Sequence, residues 1–175
     1  MRSEITRLDE AVDRAFDRIR GPGVDGVVYR LSSAADHSLL WQACGSAVAL
    51  ARGGDTGFAA RFAAAMAAES LLTNGAVKSL FQRVRPAEYA DIDFHHGLHR
   101  PVTTSFPSGH ATAAFCAATL LGGGPGWYTL AAGVAATRVY VRLHHASDVA
   151  AGAAFGLVLG AVFRRFVTPS RAGSH

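Results

Sequence analysis

Three short clusters hold the residues able to do chemistry: KSLFQRVRP at 78–86, TSFPSGH at 104–110 and TRVYVRLHHASD at 137–148. Together they supply three fixed cations (Lys78, Arg85, Arg138), two imidazoles (His110, His144) and one carboxylate (Asp148). Brought to one place, such a set is an anion site with acid–base and nucleophilic capacity. Lys78 and Arg85 are seven residues apart, two helical turns, and share a face if the helix continues to Pro86. Arg138 stands six residues before His144. His144 and Asp148 are four apart, so on a helix the carboxylate can accept a hydrogen bond from one imidazole nitrogen. That bond fixes the tautomer and leaves the other nitrogen as nucleophile or base. Ser108 and Gly109 precede an apolar run whose first amides, if it is helical, are unpaired and suited to phosphate oxygens. His110, in the first turn, is placed to give a proton to a leaving group.

The elements that must position these groups are apolar. Half of the 175 residues are hydrophobic and only 17% are charged, below the roughly 25% of soluble domains. Much of the apolar content is Ala and Gly, with a mean hydropathy of +0.19. Small residues suit close helix contacts in a bilayer, and they suit an Ala-rich soluble bundle equally. Five apolar segments follow one another at 37–51, 56–77, 109–122, 126–141 and 148–163. Several are shorter than the ~20 residues that span a bilayer, although flanking residues extend most of them. Glu69 and Asn74 interrupt the second segment and are expected to point into the bundle. Gly53-Gly54 and the glycine-rich run 122–126 predict tight antiparallel connections. Ahead of the bundle, Ile5, Leu8, Val12, Phe16 and Ile19 recur at helical spacing over 4–20 between Arg and Asp. This amphipathic helix either packs on the domain or lies in a membrane interface, and Gly21-Pro22-Gly23 ends it. The first twenty residues are too charged for a secretory signal peptide. The fold expected is a single all-α domain over 1–175, with 37–163 as the bundle and 78–108 as an active-site insert. In the membrane it comprises about five transmembrane helices plus an N-terminal amphipathic interfacial helix.

Each motif alone has an ordinary reading: Pro-Ser-Gly-His as a helix cap, an arginine meeting lipid head groups, a His/Asp pair as a surface contact. In order they are far more specific. Lys78-x6-Arg85-Pro86, then Pro107-Ser108-Gly109-His110, then Arg138-x5-His144-x3-Asp148 resembles the type 2 phosphatidic acid phosphatase (PAP2) superfamily. That group also includes bacterial acid phosphatases and vanadium haloperoxidases. The resemblance covers residues 78–148, with Thr137 where the family usually has Ser. It implies that His144 is the nucleophile, forming a phosphohistidine, with Asp148 orienting it and His110 protonating the departing alcohol. Lys78, Arg85, Arg138, Ser108 and the Gly109 amide would hold the phosphate, with no metal and no other cofactor. Concentrated positive charge would give the stabilisation that metal ions give other phosphoryl-transfer sites.

The resemblance implies an integral-membrane lipid-phosphate phosphatase as the leading expectation. Its partners would be a lipid phosphate and the bilayer, with no nucleic acid. The Ala-, Gly- and Arg-heavy composition favours polyprenyl-linked substrates, such as decaprenylphosphoryl-5-phosphoribose or undecaprenyl pyrophosphate. Phosphatidylglycerophosphate and phosphatidic acid are the nearest alternatives. A soluble acid phosphatase or haloperoxidase and an inert membrane binding module are the rivals from other classes. The net charge of +4 comes from dispersed basic residues, all but Lys78 arginine, with no run of the nucleic-acid type. With five spans, 12 of the 17 basic residues fall on the site's side, which predicts a cytoplasm-facing site. His95, His96 and His99 read as loop or substrate-mouth residues, with metal ligation as the alternative. Cys44 and Cys116 read as buried thiols. His145 reads as structural, Arg142 as a phosphate or head-group contact, and Trp41, Trp127 and Tyr128 as interfacial anchors or core.

Overall fold

The computed structural model describes residues 3–86 and 103–168, and the chain begins with a capped amphipathic helix. The Ser3 hydroxyl accepts from the Thr6 amide at 3.2 Å and starts α1, Glu4–Asp17. Ile5 and Leu8 on its apolar stripe are exposed, while its buried residue is a carboxylate, Asp9. Phe16 does turn inward, edge-on to Tyr140 with ring centroids 6.2 Å apart. The helix packs on the ends of the later helices Pro125–Tyr140 and Ala146–Val167, the first of the two readings open from the sequence, with part of its apolar stripe left facing outward. Gly21-Pro22-Gly23 ends one helix and also starts another. Pro22 opens α2, Pro22–Ala34, because its missing N–H costs nothing in a first turn. The sequence reading did not contain α2.

The five apolar segments appear as five helices with ends close to those expected. They are α3 (Leu39–Ala51), α4 (Thr56–Ser70), α5 (Gly109–Leu120), α6 (Pro125–Tyr140) and α7 (Ala146–Val167). A π-helical stretch, Leu71–Val77, carries α4 onward to Lys78. The α3–α4 connection uses Gly53 and Gly54 at φ 78° and 81°, where side chains are strained, and the Asp55 carboxylate caps α4 by accepting from Phe58 N at 2.8 Å. Among the described residues the structure is all-helical, as expected. Among the described residues α7 alone, with 22 residues, is long and apolar enough to cross a bilayer, whereas α3, α5 and α6 have 13, 12 and 16.

Helix α5 is the centre of the bundle, buried along nearly its whole length, and it packs most extensively on α7. That closeness depends on Gly152, Gly156 and Gly160, one helical turn apart on α7. A Cβ at Gly152 would meet Ser108 O at 2.5 Å, one at Gly160 would meet Thr119 Cβ at 2.6 Å, and one at Gly156 would strike the Thr112 carbonyl. Trp41, Phe58, Phe62, Met66 and Leu120 fill the core beside this contact. Trp41 is therefore core, not an interfacial anchor; it is only 1% exposed. Of the insert at 78–108, residues 81–86 and 103–108 are irregular chain meeting the open end of the bundle. His95, His96, His99 and Arg100 lie outside the described residues.

Candidate active site

Local chain geometry at the end of α6 fixes the first histidine. The amides of Leu143 and His144 both donate to the Arg138 carbonyl, at 3.0 and 3.1 Å, folding the chain back over its own helix end. His144 thus sits in the connection between α6 and α7, not on a helix with Asp148. Its Nδ1 is 2.7 Å from the Ser105 carbonyl and 3.9 Å from Asp148 Oδ2. A carbonyl only accepts, so Nδ1 carries the proton and Nε2 keeps its lone pair. Tautomer selection, expected from Asp148 directly, falls to Ser105, whose hydroxyl donates to Asp148 Oδ2. The carboxylate acts one step back. It also accepts from His145 N at 2.9 Å within the capping box of α7 and from Arg83 Nη1 at 2.6 Å.

The three expected cations reach the cavity beside His144 by different routes. Arg85 is not two helical turns from Lys78, because the helix stops before residue 81. It arrives on irregular chain and donates to the carbonyls of Leu143, Thr103 and Thr104, with Nη1 3.4 Å from His144 Nε2. Lys78, just past the π-helical stretch, donates to Thr103 Oγ1 at 3.1 Å. Arg138, only 2% exposed, donates to Ser32 of α2 at 2.6 Å, and its buried Nε–H has no acceptor among the described residues. These three, with Gly109, His110 and His144, line a cavity of about 330 Å³ that also takes in Asp36, His37, Glu69 and Asn74. Burial, followed by the neighbouring Arg85, Arg138 and Lys78, holds the His144 imidazole well below its ordinary value. Burial and the two arginines push the Lys78 ammonium down to about 8. So crowded an array of cations over a neutral imidazole is electrostatically suited to a polyanion.

Of the expected phosphate ligands, Ser108 is placed differently. It is fully buried, its hydroxyl caps α5 by accepting from Ala111 N at 3.4 Å, and it does not line the cavity. Gly109 does line it, and a Cβ there would come within 2.9 Å of Asn74 Oδ1. Arg142 turns away to Asp17 at 2.7 Å. His145 caps α7, as a structural residue would. Cys116 is buried and Cys44 partly so, both as free thiols. No cluster of His, Cys, Asp or Glu suited to a metal occurs among the described residues.

Sequence reasoning missed four contributors: Ser105, Arg83, Asp9 and Asp36. Arg83 joins three elements, its Nη1 reaching Asp148 and Ser147 and its Nη2 reaching Asp9 at 2.8 Å. Asp9 in turn accepts from the amide and hydroxyl of Ser147 at 2.8 and 2.7 Å. Ser105 and Arg83 lay within the quoted motifs, but no spacing rule marks a carbonyl or links residues 9, 83 and 148.

Fold and site together define a helical phosphatase-type domain, and the family model for the PAP2 superfamily matches residues 58–172. The chain belongs to that superfamily. Decaprenylphosphoryl-5-phosphoribose phosphatase of Mycobacterium tuberculosis, in strains CDC 1551 / Oshkosh and ATCC 25618 / H37Rv, is 36% identical over 89 residues. That alignment takes in 49% of this chain and 49% of the relative, so the chain spans about half the length of the curated relatives it matches. A crystal structure of a transmembrane PAP2-type phosphatidylglycerolphosphate phosphatase from Bacillus subtilis superimposes with a TM-score of 0.72 and 25% identity. It covers 94% of this chain and 87% of that one. Likeness to a transmembrane enzyme along nearly the whole chain, with the apolar α7, points to a membrane protein.

Proposed function

We propose that this chain is a membrane lipid-phosphate phosphatase working through a phosphohistidine on His144. The observation that carries the reading is the Nδ1 bond to Ser105 O, which leaves Nε2 unprotonated in a cavity faced by Lys78, Arg85 and Arg138. Nε2 attacks phosphorus, the P–O bond to the lipid alcohol breaks, and the departing oxygen takes a proton from His110. Water then attacks the phosphohistidine, gives its proton back to His110 and releases inorganic phosphate. The three cations and the Gly109 amide bear the charge that spreads over the phosphoryl oxygens, so the step requires no metal. Asp148 steadies Ser105 and, through it, the imidazole.

Half-length likeness to the mycobacterial enzymes favours a polyprenyl-linked phosphate such as decaprenylphosphoryl-5-phosphoribose. A second reading, phosphatidylglycerophosphate, is favoured by the whole-chain likeness to the Bacillus structure. The excess of basic residues on the site's side favours a cytoplasmic active site. Phosphate release from a panel of these lipids in micelles, with and without chelator, tests the proposal. His144→Ala is expected to lose at least ~10³-fold in kcat while the chelator changes nothing. A fully active mutant would remove the nucleophile assignment, and loss with chelator the metal-free mechanism.

A further inference from the structure

Asp36 lies outside every motif, yet its Oδ1 is 2.7 Å from His110 Nε2 and 3.8 Å from Arg138 Nη1. An unusual turn brings it there. The single 3₁₀ turn Asp36–Ser38 between α2 and α3 holds His37 and Ser38 at φ 52° and 60°. Non-glycine residues are rare in the left-handed region, and two in succession persist only where the surroundings dictate them. The result is a carboxylate in the cavity wall beside the residue expected to supply the proton.

A general acid in this cavity faces an electrostatic difficulty. To give up a proton His110 must first be an imidazolium, yet Arg138 from α6, Lys78, Arg85 and His144 all face the same space. Against them stand Asp36 and, on α4, Glu69, which already accepts from Thr73 at 2.9 Å. Nearby cations disfavour the imidazolium, and a carboxylate in hydrogen-bond contact favours it. We propose that Asp36 is the positioning residue of the general acid: it holds the His110 ring through Nε2–H and favours its imidazolium form against the surrounding cations, leaving the Nδ1 proton for the leaving oxygen. As the P–O bond breaks, the alkoxide takes that proton and His110 becomes the neutral Nε2–H tautomer, still bound to Asp36. When water attacks the phosphohistidine, its proton goes to Nδ1 and the imidazolium is restored.

This inference rests on the phosphatase reading, and a leaving-group comparison separates the two. Wild type, Asp36→Asn, Asp36→Ala and His110→Ala are compared in micelles on an alkyl lipid phosphate and on 4-nitrophenyl phosphate. The nitrophenolate leaves without a proton, so assistance matters only for the lipid. Asp36→Asn is expected to lower kcat on the lipid about 10–100-fold, with KM little changed and less than about 3-fold loss on the nitrophenyl ester. Adding it to His110→Ala should cost nothing further. Equal loss on both substrates, or losses that multiply with His110→Ala, would overturn the assignment. So would a gain in rate on removing the carboxylate, which would mark Asp36 as a plug in the phosphate position. Nitrogen-15 NMR of His110 in the Asp36→Asn protein requires no turnover at all. The imidazole pKa should drop by about one unit or more. An unshifted titration would refute the role of Asp36 whatever the enzyme hydrolyses, whereas a shifted one in a protein that turns over neither substrate would refute the phosphatase reading alone.

Discussion

In the proposed reaction a histidine attacks phosphorus only through a nitrogen without a proton, and a backbone carbonyl decides which nitrogen that is. Ser105 O holds the proton on Nδ1, and the cations around Nε2 resist a second one. A His pKa lowered on folding means that the unfolded chain binds the extra proton first. His144 therefore detracts from stability as pH falls below about 6.5, while the native site keeps a neutral imidazole through that range. Lys78 has the opposite consequence for binding. Its ammonium, pushed down to about 8, is lost to the empty site at moderately alkaline pH. Competitive inhibition by tungstate, a dianion across this range, should weaken as pH rises through about 8. Lys78→Arg should abolish that dependence, since a guanidinium stays charged. A flat profile in the wild type would show that the ammonium is not in the anion's shell. Most of these residues were legible in the sequence because three cations, two imidazoles and a carboxylate in motif order have few other uses. Ser105 and Asp36 were not: one acts through its main chain, and the other meets its partner 74 positions away, across a turn with no periodic pattern.

At the scale of elements, the site is carried by the contact between α5 and α7. One presents Gly109 and His110 at its first turn, and the other follows directly on His144. Their spacing is set by glycines, so an added side chain there should separate the two walls of the cavity. Gly156→Val places atoms against the Thr112 backbone and should cost about 1–3 kcal/mol, read as a lowered unfolding temperature in detergent and reduced kcat. Gly133→Ala on α6 meets nothing within 4 Å and should stabilise by about 0.5–1 kcal/mol. Equal behaviour of the two variants would contradict a packing role for the α7 glycines. The helices themselves were readable from apolar runs between glycine breaks. Helix α2 was not, since Gly23, Asp25, Gly26 and Arg30 interrupt its apolar residues and Pro22 serves as a start signal as readily as a stop. The seven-residue spacing of Lys78 and Arg85 misled for a related reason: regular spacing carries meaning only while the helix lasts.

For the molecule as a whole, the outward apolar stripe of α1 and the Asp148 carboxylate are joined through Asp9 and Arg83. Burial alone would raise the Asp9 carboxyl, but hydrogen bonds from Ser147 and Arg83 outweigh it and hold the group below its ordinary 3.8. The stabilisation from this clamp is complete above that value and is lost as pH falls through the lower folded one. Asp9→Asn should lower kcat about 10-fold and narrow the difference in rate between vesicles and micelles, measured on one lipid phosphate. An unchanged kcat would show that α1 has no hold on the site. The clamp also orders events during synthesis. Residue 9 leaves the ribosome long before Ser147, its partner 138 positions later, so a partly made chain lacks the partner that Asp9 holds. The clamp closes only when α7 meets α1, so in the phosphatase reading a chain truncated before Ser147 is expected to release no phosphate.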